Sequence, residues 1–270
     1  MSMFHQLVAA TALLFGAASA SQAQVLVPLG NPSFESDFAN TGTFPVLTPA
    51  GWTVYDPGSI LGTVDGHINV VGVLNPGGLN PPDTTFFVDP VPHGSNVALV
   101  YLEQFAGTET PGDPVGLESS FDGVLALNTH YTLSVAVGNI ASGTGLNESA
   151  GFGYADLSGF PGYRVELLAD GQMVAFDHNG LASIGEGRFM TSVVELTVGG
   201  SHALAGSVLG VRVINLNTFG NVNERGREVD FDNIQLMAAP VPEPSDYAMW
   251  LAGLGLLWGL RSRRRLALTR

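Results

Sequence analysis

The side chains that could do chemistry in this sequence carry oxygen: 24 Asp and Glu stand against ten Arg and six His, with no Lys and no Cys. The absence of Cys excludes thiol nucleophiles, disulfides and thiolate metal centres. The histidines (His5, His67, His93, His130, His178, His202) never fall at the i,i+4 spacing that seats zinc on a helix. No Gly-x-Ser-x-Gly elbow occurs, and Gly143-Thr144-Gly145 lacks the remaining glycine and helix of a dinucleotide loop. Carboxylate chemistry and aromatic stacking remain. Glycoside hydrolysis needs two carboxylates across a cleft, but in so acidic a chain one pair by itself carries little information. Tyr101, Phe105, Phe152, Tyr154 and Phe160 sit in or beside two long loops, around Phe105 to Pro114 and Ala141 to Pro161. Rings held there could stack on the apolar faces of sugars, so these five are the ligand-binding candidates.

The elements that must position such groups read as strands. Gly and Pro number 35 and 16, and the middle of the chain shows no helical period. Tyr131, Leu133, Val135 and Val137 alternate with polar or small residues, and so do Tyr163, Val165 and Leu167. Asp170-Gly171 is a two-residue hairpin signal leading into Gln172 to Phe176. Further strands are expected over Trp52 to Tyr55, Ile68 to Val73, Asn96 to Leu102, Val193 to Val198, Ser207 to Ile214 and Val229 to Leu236. Roughly ten strands at this spacing predict one all-β domain over 24–239, a sandwich or jelly roll, with Trp52, Tyr131 and Phe231 in its core.

The two ends predict an address. Residues 1–23 combine an apolar run from Leu7 to Phe15 with small residues offering cleavage after Ala20 or Ala23, the layout of a secretory signal peptide. In 240–270, Pro242-Glu243-Pro244 precedes an apolar stretch from Tyr247 to Leu260 and a basic cluster of Arg261, Arg263, Arg264 and Arg265. Basic residues stay on the cytoplasmic side of a membrane, which places everything before the apolar stretch outside the cytoplasm. This tail resembles the PEP-CTERM sorting signal of Gram-negative bacteria. The resemblance implies a transmembrane anchor in the inner membrane, processing by signal peptidase and an exosortase-type enzyme, and a final place at the cell surface or outside it. The formal charge of −14 makes nucleic acid an unfit partner and divalent cations or neutral polymers fit ones.

Asn31-Pro32-Ser33-Phe34-Glu35, Gly51-Trp52, the Tyr131 to Val137 strand and the closing Val229-Asp230-Phe231-Asp232-Asn233-Ile234 together resemble galactose-binding-like jelly rolls of carbohydrate-binding modules. That resemblance implies a structural calcium held by Glu35 and Asp232, completed by backbone carbonyls and by Asn31 or water. Gly94-Ser95-Asn96-Val97-Ala98 and Tyr163 to Leu168 also fit the hapalindole-type (Stig) cyclases, which share this jelly roll. In those enzymes a carboxylic acid in an aromatic pocket protonates the substrate, a role open here to Asp230 or Asp232 if burial raises its pKa. The sequence alone favours a calcium-stabilised carbohydrate-binding or extracellular-matrix component that meets exopolysaccharide. A jelly-roll enzyme, cyclase-like or glycan-cleaving, is the alternative; the first predicts a row of exposed aromatics and no deep pocket, the second a closed apolar pocket with an acid whose pKa is raised.

Overall fold

The computed structural model describes residues 23–64, 67–77, 86–103, 112–142, 157–181, 184–218, 227–241 and 253. Phe105, Phe152, Tyr154, residues 1–22 of the signal segment, Pro242-Glu243-Pro244 and Arg261 to Arg265 lie outside them. Among the described residues no helix is long and apolar enough to cross a membrane.

Among the described residues twelve strands form two antiparallel sheets. They are β1 (Val25–Val27), β2 (Thr53–Tyr55), β3 (Gly62–Val64), β4 (His67–Leu74), β5 (Val97–Leu102), β6 (Val115–Val124), β7 (Thr129–Asn139), β8 (Tyr163–Ala169), β9 (Gln172–His178), β10 (Arg188–Val198), β11 (Val208–Asn215) and β12 (Arg227–Pro240). The seven-stranded sheet runs β10-β7-β12-β5-β4-β3, with β1 also on β12; the five-stranded sheet runs β2-β6-β11-β8-β9. This is the expected β-sandwich jelly roll.

Alternation along the strands explains the core. Tyr131, Leu133, Val135 and Val137 of β7 and Val229 and Phe231 of β12 pack inward against Val165 and Leu167 of β8 and Val211 and Val213 of β11. Trp52, Tyr131 and Phe231 are buried in it as expected. Asn215 of β11 ties the layers together by donating from Nδ2 to the Val100 carbonyl at 2.9 Å. The β8–β9 hairpin turns on Asp170 (φ 48°) and Gly171 (φ 73°), the left-handed pair such a turn demands. Strands β3 and β6 were not expected. In β6 the apolar alternation of Val115, Leu117 and Phe121 is broken by Ser119 and by glycines at both ends.

Two features of β12 position the chemistry. Its register slips between Asp232 and Gln235, where Asn233 adopts φ 49°, a bulge that inserts one residue opposite β7. The bulge turns the Ile234 N–H to the Pro32 carbonyl at 3.0 Å, fastening the loop after β1 to the last strand. The outer side of the seven-stranded sheet is also covered. There a second apolar cluster gathers Leu74, Phe86, Phe87, Val97, Leu99, Ile140 and Leu157, with Val70, Val91, Tyr101 and Phe189 at its margin.

Candidate functional site

The loop from Asn31 to Asp37 is built to present Glu35. Asn31 and Phe34 both take positive φ (54° and 60°), a conformation uncommon for a bulky aromatic residue. Phe34 is held in it by burial of its ring, 5.2 Å from that of Trp52, whose Nε1 donates to the Asn31 carbonyl at 3.1 Å. Glu35 Oε1 then accepts the N–H groups of Ser95 and Asn96 at 2.9 and 2.7 Å. Gly94 (φ 71°) lies so close that a Cβ there would overlap the Glu35 carboxyl.

Asp232 has no exposed surface. Its Oδ2 accepts from the His93 N–H at 2.7 Å and its Oδ1 from the Asn233 N–H at 2.6 Å. Burial pushes its pKa up to about 7 against the pull of these bonds, and the charge of Glu35 adds to the rise. Two carboxylates are thus brought together by the first loop, the last strand and the 92–96 segment. Hard oxygen donors next to an under-compensated buried charge suit calcium, so Glu35 and Asp232 would hold such an ion. Asn31 is engaged elsewhere: its Nδ2 donates to Asp37 and the Ala50 carbonyl, and its Oδ1 accepts from Ser36 N–H. Among the described residues no group of three or more His, Cys, Asp or Glu is arranged for a metal, so most ligands would have to be backbone oxygens or water.

The second constellation lies further down β12. Because Val229 and Phe231 face the core, Glu228 and Asp230 face the outer cluster, where both are buried. Register sets Glu228 opposite Tyr101, and Asp230 between Leu99 of β5 and Gly138 of β7. Gly138 in turn stands opposite Phe189 of β10. A Cβ at Gly138 would come within 2.6 Å of the Phe189 ring and 3.1 Å of Asp230 Cβ, so the missing side chain lets the ring lie beside the acid. Phe189 stacks on Phe87 with centroids 4.3 Å apart and planes at 28°. The Phe87 segment is fixed by Val88 N–H to the Gly187 carbonyl and by Ala141 N–H to the Phe86 carbonyl.

No donor from the protein reaches either Asp230 oxygen or Glu228 Oε1 among the described residues. The two acids can satisfy one another only by sharing a proton, with Asp230 as the donor. Burial pushes both pKa values up, and for Asp230 the Glu228 charge pushes further. The result is a neutral carboxyl under aromatic rings, a group that can give a proton near neutral pH.

The sugar-platform residues fare differently. Tyr101 is half-buried on β5, and its hydroxyl donates to Glu103 Oε1 at 3.2 Å. Phe160 is half-buried, its ring 6.2 Å from that of Tyr163 and packed on the main core. Neither is an open stacking surface, because each ring is consumed by packing; Phe105, Phe152 and Tyr154 lie outside the described residues. Glu228, Phe87 and Phe189 escaped sequence reasoning. The available signal was the alternation Glu228-Val229-Asp230-Phe231-Asp232, which puts three acids on one face of a strand.

A buried carboxyl pair beside aromatic rings in a two-sheet jelly roll lies closer to what a cyclase-like jelly roll predicts than to a row of exposed stacking aromatics. Residues 25–237 match the HpiC1-like family, described as HpiC1 cyclase, and the chain belongs to that family. Among solved structures, an apo cyclase from Fischerella sp. is 35% identical, with 82% of this chain and 98% of that one covered and a TM-score of 0.66. The Stig cyclase Fisc from Fischerella sp. TAU, in complex with (3Z)-3-(1-methyl-2-pyrrolidinylidene)-3H-indole, is 35% identical over 82% and 100% of the two chains, TM-score 0.65. A cyclase from Fischerella sp. TAU bound to 4-(1H-indol-3-yl)butan-2-one is 36% identical over 81% and 100%, TM-score 0.65. Comparison with curated proteins finds no match.

Proposed function

We propose that this protein is an acid catalyst acting on an indole-type aromatic substrate, with Asp230 as the proton donor and Glu228 as the partner that keeps it protonated. The buried carboxyl pair beside Phe189 and Phe87 carries this reading. Relatives of the same family are complexed with indole compounds, which supports the substrate class. Protonation of an electron-rich ring carbon leaves a delocalised cation. The faces of Phe87 and Phe189 and the negative charge left on the carboxyl pair both stabilise such a cation. A dry site makes each of these interactions stronger than it would be in water.

Glu35 and Asp232 would hold a structural calcium whose chemistry is cross-linking: it would join the first loop, the last strand and the 92–96 segment. The signal segment and tail assign export, anchoring and exosortase-type release to the same reading. The decisive experiment uses indole in D2O, following loss of the C3 proton signal by NMR. A protein that protonates this carbon exchanges it for deuterium, and Asp230→Asn abolishes the exchange while preserving the fold. A wild-type rate equal to the protein-free background would sink the proposal.

A further inference from the structure

One end of the sandwich carries an apolar rim, and the chain departs from that end. Strand β12 finishes at Pro240 opposite Thr129, the first residue of β7, which also stands opposite Val198, the last of β10. The Val241 N–H then donates to the Asn128 carbonyl at 2.7 Å, so the exit is fastened to the β6–β7 turn. This turn holds the start of β11, through Leu125 N–H to the Ser207 carbonyl at 2.8 Å and Gly206 N–H to the Leu125 carbonyl at 2.9 Å. The β8–β9 hairpin reaches the same place: Asp170 N–H donates to the Val208 carbonyl, and Asp170 Oδ1 accepts the Val208 N–H, both at 2.8 Å.

Four aliphatic side chains on these segments stay open to water. Leu127 is 41% exposed, Val208 47%, Met173 49% and Val124 50%, and Val124 and Val208 are cross-strand partners. No Arg stands on these segments and the chain has no Lys; the exposed charges near them are Asp122 and Asp170. The sequence past the exit points to what covers the rim. Five residues, Pro242 to Asp246, separate Val241 from the apolar stretch Tyr247 to Leu260, a reach of about 20 Å at full extension. A bilayer that takes up this stretch lies within that reach of Val241, which is bonded to the neighbour of Leu127.

We infer that Val124, Leu127, Met173 and Val208 form a docking surface for the neutral interface of a lipid bilayer and seat the domain on it while the tail anchors the chain. This rests on the reading of Tyr247 to Leu260 as a membrane anchor. Aliphatic groups gain by leaving water for the boundary between headgroups and acyl chains, and with no basic residue among them the contact needs no anionic lipid. Four half-open side chains bind weakly by themselves. The short tether supplies the local concentration that makes the contact persist, so severing the tail undocks the domain as well as freeing it.

Because the chain has no Cys, one fluorophore can be placed where it is wanted. The test uses the full chain in phosphatidylcholine vesicles with an NBD group on Ala126→Cys, an exposed position beside Leu127. The control carries it on Glu186→Cys, next to Gly187, whose N–H donates to Asn139 at the far end of β7, about 30 Å away. Lipid bearing a nitroxide near the top of its acyl chain should quench the label at Ala126→Cys at least threefold more than the control. Leu127→Gln with Met173→Gln should bring it down to the control, and Val124→Gln with Val208→Gln repeats the test on the facing strands. Flotation with the vesicles checks the anchor separately and should be the same for every variant. A chain that floats but is quenched equally at both labels overturns the docking and leaves the anchor standing. Quenching that survives both glutamine pairs overturns it too, because the tether alone would then hold the label there. A label shielded from water yet untouched by the nitroxide shows that a second copy covers this end, which also overturns it. A chain that does not float removes the anchor reading and the docking with it.

Discussion

Replacing Asp232 with Asn should invert its effect on stability between acid and alkaline pH. The folded carboxyl is raised from 3.8 to about 7, chiefly by burial, whereas in the unfolded chain it titrates near 3.8. Above pH 3.8 the folded state therefore holds a proton that the unfolded state has released, so stability is full below pH 4 and is lost as pH rises toward 7. By pH 8 the loss comes to about 4 kcal/mol at roughly 1.4 kcal/mol per pH unit. Asn does not ionise, but its NH2 must face one of the two backbone N–H donors from His93 and Asn233, at a cost of about 1 kcal/mol. At pH 4 the variant should thus be the weaker protein by that margin, and at pH 8, with chelator present, the stronger by about 3 kcal/mol. For a domain of this size that is a melting temperature roughly 6–12 °C higher. The assay is thermal melting at both pH values in chelator, repeated with millimolar calcium. Calcium should restore the wild type at pH 8 by mass action and leave Asp232→Asn unmoved. A variant that melts lower than wild type by the same amount at both pH values, without calcium, refutes the reasoning.

Gly94→Ala forces a Cβ against the Glu35 carboxyl at a positive φ; it should cost about 1–3 kcal/mol and weaken the calcium response, read by melting with and without the ion. Asn215→Ala removes the bond between the two sheets at Val100 and leaves the buried Asn217 N–H without its Oδ1 acceptor, so chemical denaturation should show a loss of about 1–3 kcal/mol. Phe231→Ala opens a cavity at the centre of the sandwich and should cost about 3–5 kcal/mol in the same assay.

The parts of the fold readable in the sequence are those where a local rule agrees with the final packing. Asp170-Gly171 specifies its turn, and the Tyr131 to Val137 alternation specifies a face, because both are decided within a few residues. Glu35 and Asp232, 197 positions apart, come near one another because β1 pairs with β12 and the Ile234 N–H holds the intervening loop. The acid pair was only half readable. In an ordinary half-buried strand, the alternation around Val229 and Phe231 sends Glu228 and Asp230 into water. Here the outer face is roofed by Phe86, Phe87 and Leu157, brought from distant parts of the chain, and no short-range pattern announces that. The same roof explains why Tyr101, expected to be an open ring, is half-buried.

From Asp230 to its end at Pro240, strand β12 (Arg227–Pro240) spans about 30 Å at the rise of an extended chain. Its far end is joined by Val25 of β1, paired with Ala238, so both termini of the sandwich leave from the pole opposite the acids. The domain therefore has a handle and a working end. Whatever holds it by either terminus, whether a lipid bilayer, a resin or a fused partner, leaves the pole that carries Glu228 and Asp230 pointing outward, and cutting beyond Pro240 spares every described strand of the sandwich.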